Sequence, residues 1–250
     1  MAAVHSLASM LAQAQSTPSS AGLFTGTSPL LLVVLVGALS VLPFFLVVAT
    51  SFVKVSVVLG LVRNALGTQQ IPANLVISAL AAVLSIHIMA PTLAAVNAAA
   101  GPALERALRA DLAQPDSATT LRDVWTSARA PVQRFLRANG SSRDRALFLD
   151  LARQARNRQG TAMSSDMPTA DDLSVLLPAF MVSELTRAFL IGFLIFLPFL
   201  VVDLVIANLL TALGMQMVSP AAISLPFKLL LFVLADGWYL IARALVLGYR

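Results

Sequence analysis

The sequence predicts an all-α, membrane-associated protein. Two apolar helical hairpins, carrying four hydrophobic segments, flank an inserted polar helical domain. Three observations predict this. Of 250 residues, 58% are hydrophobic and only 12% charged, whereas soluble domains carry roughly a quarter charged residues; mean hydropathy is +0.84. The apolar residues gather into runs of the length a bilayer demands. Between the second and third runs the chain turns polar and arginine-rich, with apolar residues at helical spacing. The formal charge of +5 does not point to nucleic acid. Only Lys54 and Lys228 among the 17 basic residues are lysines, and no basic block or aromatic platform accompanies them. Anionic headgroups or internal acidic partners account for the excess. The absence of cysteine excludes disulfides and thiolate chemistry.

Residues 1–28, rich in Ala, Ser and Gln, read as a flexible tail or a weak signal-like segment. "LAQAQS" resembles a small-residue cleavage site, but no Lys or Arg precedes Lys54. Residues 29–96 form the first apolar hairpin. Its first run, Pro29 to Val53, continues past Lys54 to Val62. "RNALGTQQIPAN" interrupts, with Gly67 as a helix C-terminal cap and Pro72 where a new helix can start. The second run covers Leu75 to Val96 and is expected to break at Pro91.

Residues 97–169 are the polar, Arg-rich extramembrane domain. "SSRDRALFLDLARQARNRQG" predicts an amphipathic helix. Ser141 and Asp144 suit a capping box, Leu147, Phe148 and Leu151 line one face, and Arg156 and Arg158 suit the last turn. In "TADDL", Thr169 is the expected cap of the next helix, with Asp171 and Asp172 in its first turn. Residues 170–250 form the second apolar hairpin, with runs from Ala188 to Leu213 and from Ala221 to Gly248 joined by "LGMQMVSP". "LPFLVVD" and "ALGMQMVSP" echo "LPFFLVV" and "ALGTQQIP" of the first hairpin, at unequal spacing.

Lys54, Arg63, Glu184, Arg187, Asp203, Lys228 and Asp236 lie in or beside apolar runs. A charge at the centre of a span costs about 2.5 kcal/mol or more, so these residues need partners in protein or a wet cavity. Glu184 and Arg187, three apart, share a helix face and pair locally. Lys54, Asp203, Lys228 and Asp236 have no local counter-charge and need one from elsewhere in the fold or from another subunit. Ion pairing that fixes helix register is favoured over a proton relay, because a relay wants titratable groups in series. His87 reads as a satisfied core histidine, since no second ligand stands at metal spacing. Ser56 and Gly60, four apart, are a small-residue pair that permits close helix approach. No phosphate loop, nucleophile elbow or metal motif is present in the sequence, so neither enzymatic chemistry nor a cofactor is expected.

Three blocks, "TSFVKVSVVLGLVRNALGTQQIPANLVI", "LPAFMVSELTRAFLIGFLIFLPFLVVDLVIANLL" and "LGMQMVSPAAISLPFKLLLFVLADGW", closely resemble the FliP/SctR family. This family supplies the R-type export-apparatus subunits of bacterial type III secretion systems. "SELTRAF", "IANLL" and "MQMVSP" are more similar to injectisome members than to flagellar ones. The resemblance implies a homo-oligomer of five copies, joined by Q-type and T-type (FliR-like) subunits in a helical, cone-shaped export gate. It implies an inner-membrane location with much of the assembly on the periplasmic side, and unfolded secreted proteins as cargo. It also implies that the buried charges pair between subunits. The polar domain would then be periplasmic despite its arginines; the positive-inside rule weakens for segments longer than about 60 residues. In the family a methionine loop from each R-type subunit closes the pore as a gasket. Met215, Gln216 and Met217 occupy those positions here, and Gln216 departs from the usual three methionines. Unbranched, adaptable thioether chains suit a seal that must yield around a passing chain. The same residues admit two rival readings. One is a small ion or solute transporter using Asp203, Asp236 and Lys228 at a broken-helix site; the other is a scaffold with no open path.

Overall fold

The computed structural model describes residues 37, 40, 44, 47–68, 71–109, 117–158, 167–215 and 217–249, with the side chains of 107–109 and 117–121 set aside. The tail at 1–28 and Gln216 lie outside the described residues. The described chain is helical, and no strand occurs among the described residues. Its helices are α1 (Phe52–Leu66), α2 (Asn74–Arg109), α3 (Ser117–Asn139), α4 (Ser142–Arg158), α5 (Leu173–Ala212), α6 (Pro220–Leu234) and α7 (Gly237–Leu247).

The ends of α1 and α4 follow local chemistry. Gly67 closes α1 in the left-handed region (φ 77°), its N–H donating to the Asn64 carbonyl at 3.1 Å. Ser141 caps α4 by accepting from the Arg143 N–H at 3.2 Å. The reciprocal arm of the expected capping box runs through a third residue. Asp144 does not reach the Ser141 N–H; that N–H donates to the Ser183 hydroxyl at 2.9 Å, which in turn lies 2.5 Å from the Asp144 carboxylate. The cap of α4 is therefore also its attachment to α5.

Two expectations are corrected, and the fourth apolar run proves divided. The break at Pro91 does not occur, because α2 runs on through Pro91 and Pro102. A proline removes one hydrogen bond from a helix but need not end it where the flanking turns are apolar and packed. The same helix thus crosses from the first hairpin into the polar stretch. Thr169 does not cap α5; Asp172 stands at that position, and its carboxylate accepts from the Thr169 N–H at 2.8 Å. Arg129 and Arg137 of α3 hold Asp172 and Asp171 at 3.4 and 3.2 Å and keep both carboxylates outside the first turn. The fourth apolar run is not one helix, since α6 and α7 meet at a 59° bend. Asp236 at the bend has φ 52°, a left-handed conformation that Asp tolerates better than most residues.

α1 is the axis of the apolar bundle. Val55, Val58, Leu59 and Val62 are buried against α2, α5 and α6. A second cluster, Met89, Phe135, Leu136, Leu176 and Phe180, joins α2, α3 and α5 beside the polar helix pair. The stretch Asn74–Arg106 and all of α5 are long and apolar enough to cross a membrane, and α6 with α7 makes a third such stretch if the bent pair is taken as one span. α5, at 40 residues, is about 60 Å long. Its outer face leaves Phe189, Leu190, Phe193 and Leu194 uncovered, as a helix facing lipid or other subunits would.

Candidate functional site: the methionine turn and the buried charges

The turn between α5 and α6 is set by its backbone. Leu213 closes α5, and Gly214 follows at φ 72°. The Gly214 N–H donates to the Thr211 carbonyl at 3.1 Å and the Met215 N–H to the Leu210 carbonyl at 2.9 Å. These two bonds are the Schellman motif, which satisfies the last carbonyls of α5 and reverses the chain. Ser219 and Pro220 then start α6, with proline at the first helical position where no N–H is missed. Between these fixed ends the methionine side chains point away from the chain's own core. Met215 is 46% exposed and Met217 100% exposed.

Below the turn, α5 and α6 are tied by charge. Lys228 is 6% exposed and its Nζ donates to Asp203 at 2.6 Å. The Ser224 hydroxyl donates to the other Asp203 oxygen, also at 2.6 Å. Ser224 and Lys228, four apart, share the face of α6 that meets Asp203. The ammonium also lies beside Gly67, 3.7 Å from where a Cβ would stand, so the C-terminal end of α1 meets the same cation.

A second buried cluster sits near the polar helices. Lys54 of α1 and Glu184 of α5 are almost fully buried and 3.7 Å apart. Arg187 pairs with Glu184 at 2.9 Å and also donates to the Asn139 carbonyl at 2.5 Å, reaching the end of α3. Tyr249 donates its hydroxyl to Glu184, and its ring lies under the Lys54 ammonium at 4.0 Å. Lys54, Asp203 and Lys228, which lacked a counter-charge nearby in sequence, thus find one within the same chain, and Glu184 keeps its local pair with Arg187. Helices distant in sequence are neighbours in space, which spacing alone does not disclose.

The remaining candidates divide. Arg63 is half-buried and donates to the Asn74 side chain across the α1–α2 loop. Asp236 is exposed at the α6–α7 bend, not buried. His87 is exposed and does not occupy the core. Ser56 and Gly60 lie on a partly covered face of α1, and a Cβ at Gly60 would meet open space. The close helix approach within the chain is made one residue later, by Leu61 against Gly192 of α5. Sequence reasoning passed over Tyr249, Ser224 and Asn74. Only Ser224 carried a signal, its helical spacing from Lys228.

Long apolar helices with internally neutralised charges define an integral membrane protein of helical hairpins. Within that class its relationships are specific. The FliP family model matches residues 35–245, and the chain belongs to the FliP family. It is 45% identical over 218 residues to the Yop proteins translocation protein R of Yersinia pestis, covering 87% of this chain and 95% of that one. It is 43% identical over 220 residues to the hypersensitivity response secretion protein HrcR of Ralstonia nicotianae, covering 88% and 96%. It is 39% identical over 223 residues to the flagellar biosynthetic protein FliP of Bacillus subtilis, covering 89% and 93%.

Proposed function

We propose that this protein is a pore-forming core subunit of a bacterial type III protein export gate. It conducts unfolded substrate proteins across the inner membrane, and its methionine turn seals the conduit at rest. The observation that carries the reading is the α5–α6 turn. A Schellman cap anchors it, yet Met215 and Met217 are left uncovered by their own chain. Exposed thioethers on a fixed turn have little use in a monomer. Copies of the turn converging on an axis would make a deformable apolar plug. Membership of the FliP family and relatives named for translocation and secretion support this setting. In this reading the chain acts as a homo-oligomer with Q-type and T-type partners, projects largely to the periplasmic side, and performs no bond chemistry. A transporter built on Asp203, Asp236 and Lys228 is disfavoured, because Asp203 and Lys228 satisfy each other while Asp236 stands apart at the bend.

The test is ion or small-dye influx across the inner membrane of cells assembling the complete gate. Met215→Ala with Met217→Ala is expected to leak only when the partner subunits are present. A fully assembled double variant that stays as tight as the native gate would end the seal assignment.

A further inference from the structure

Tyr249 connects several separate parts of the fold. It packs against both hydrophobic clusters, the apolar bundle around α1 and the group that joins α2, α3 and α5. Its ring stacks on Phe135 of α3, with centroids 6.1 Å apart and planes 13° from parallel. The same ring lies under the Lys54 ammonium of α1, 4.0 Å from the centroid. Its hydroxyl donates to Glu184 of α5. Arg187, the other partner of Glu184, continues the connection to the Asn139 carbonyl at the end of α3.

The charges explain why an aromatic with a polar tip stands there. Lys54 is only 2% exposed, and its contact with Glu184, at 3.7 Å, is too long for a good hydrogen bond. A buried ammonium held so loosely needs a further favourable surface, and the face of an aromatic ring supplies one. Glu184 accepts from Arg187 through one oxygen and from Tyr249 through the other. Tyr249 therefore serves a cation with its ring and an anion with its hydroxyl, while stacking on a helix of the polar domain.

We infer that Tyr249 is a positioning residue, a strap that locks the end of α3 onto the apolar bundle by completing the Lys54–Glu184–Arg187 cluster. The strap couples the two parts of the chain and does not depend on the conduit reading.

Backbone hydrogen exchange on the full-length protein, in the membrane complex it normally forms, tests this. Tyr249→Leu is expected to speed exchange at least tenfold in the last turn of α3, leaving the α5–α6 tie at Asp203 and Lys228 and the Ser183-bound start of α4 protected. Tyr249→Phe, which keeps the ring but loses the hydroxyl, should fall between, and it remains informative if the leucine variant does not fold. On a Lys54→Met background, where no cation needs the ring, Tyr249→Leu should have a clearly smaller effect. Simple packing would instead make the two changes additive. Unchanged exchange in both Tyr249 variants, or strict additivity with Lys54→Met, would overturn the strap. The readout is separate from membrane leak, so the failure of one proposal leaves the other standing.

Discussion

Leu61 of α1 fills the space beside Gly192 of α5 so closely that a Cβ at Gly192 would stand 2.2 Å from the Leu61 Cδ1 and 3.0 Å from its Cβ. No rotamer of Leu61 relieves the contact with its own Cβ. Gly192→Ala must therefore push α1 and α5 apart, at a cost of about 1–3 kcal/mol. Thermal unfolding of the detergent-solubilised protein should show it as a lower midpoint. Gly60, on the open side of α1, provides the contrast. Gly60→Ala should raise the isolated chain's midpoint slightly, since alanine at an open helix-interior position is worth about 0.5–1 kcal/mol over glycine, and Gly60→Leu should act against assembly, read as loss of the oligomer on a native gel.

The tie between Asp203 and Lys228 should be strongly non-additive. Asp203→Asn leaves a buried ammonium without its counter-charge, and breaking such a pair from one side costs about 3 kcal/mol or more when burial is complete. The cost here is smaller because the Asp203 side chain is about one-third exposed (35%). Adding Lys228→Met removes the orphaned charge and should recover most of the lost stability. A double variant no more stable than Asp203→Asn alone would show that the pair does more than neutralise itself.

Gly214→Ala tests the turn without touching a methionine. A side chain at φ 72° costs about 1 kcal/mol, although space around the residue is free. The expected outcome is a slightly destabilised hairpin and, in the assembled gate, a leak smaller than that of the double methionine variant. Equal leaks would mean that the backbone course of the turn matters more than its thioethers.

Ser183→Ala removes the hydroxyl that accepts from the Ser141 N–H and faces Asp144. Both α4 groups lose their shared partner, a change worth about 1–2 kcal/mol. Proteolysis should then cut within α4 sooner, while α5 stays intact.

The sequence made some of this legible for identifiable reasons. Gly67 and Ser141 announced helix ends because caps depend on a few adjacent residues. The apolar runs announced α2 and α5 because a bilayer demands length. What stayed hidden depends on the third dimension. Pro91 looked like a stop until packing carried α2 past it. Thr169 lost the cap of α5 because the aspartates after it were engaged by arginines of another helix. The partners of Lys54 and Lys228 lay on distant helices. The methionine turn was marked by resemblance, and its Schellman cap could be foreseen only as a glycine in the right place. Tyr249 carried no signal at all, since one tyrosine near the end of an apolar run reads as an ordinary interfacial aromatic.

The pairing of Asp203 with Lys228 has a consequence for how the chain is made. The two residues are 25 positions apart, so at about 5–20 residues per second the ribosome finishes the carboxylate roughly 1–5 s before its counter-charge. Over that interval the apolar second half of α5 carries an unneutralised anion, which resists release into lipid. The expected outcome is that α5 stays beside protein until α6 brings Lys228, so that the two helices leave the insertion machinery as a pair. Nascent chains stalled just after Asp203 should remain crosslinked to the insertion machinery, and those stalled well past Lys228 should not.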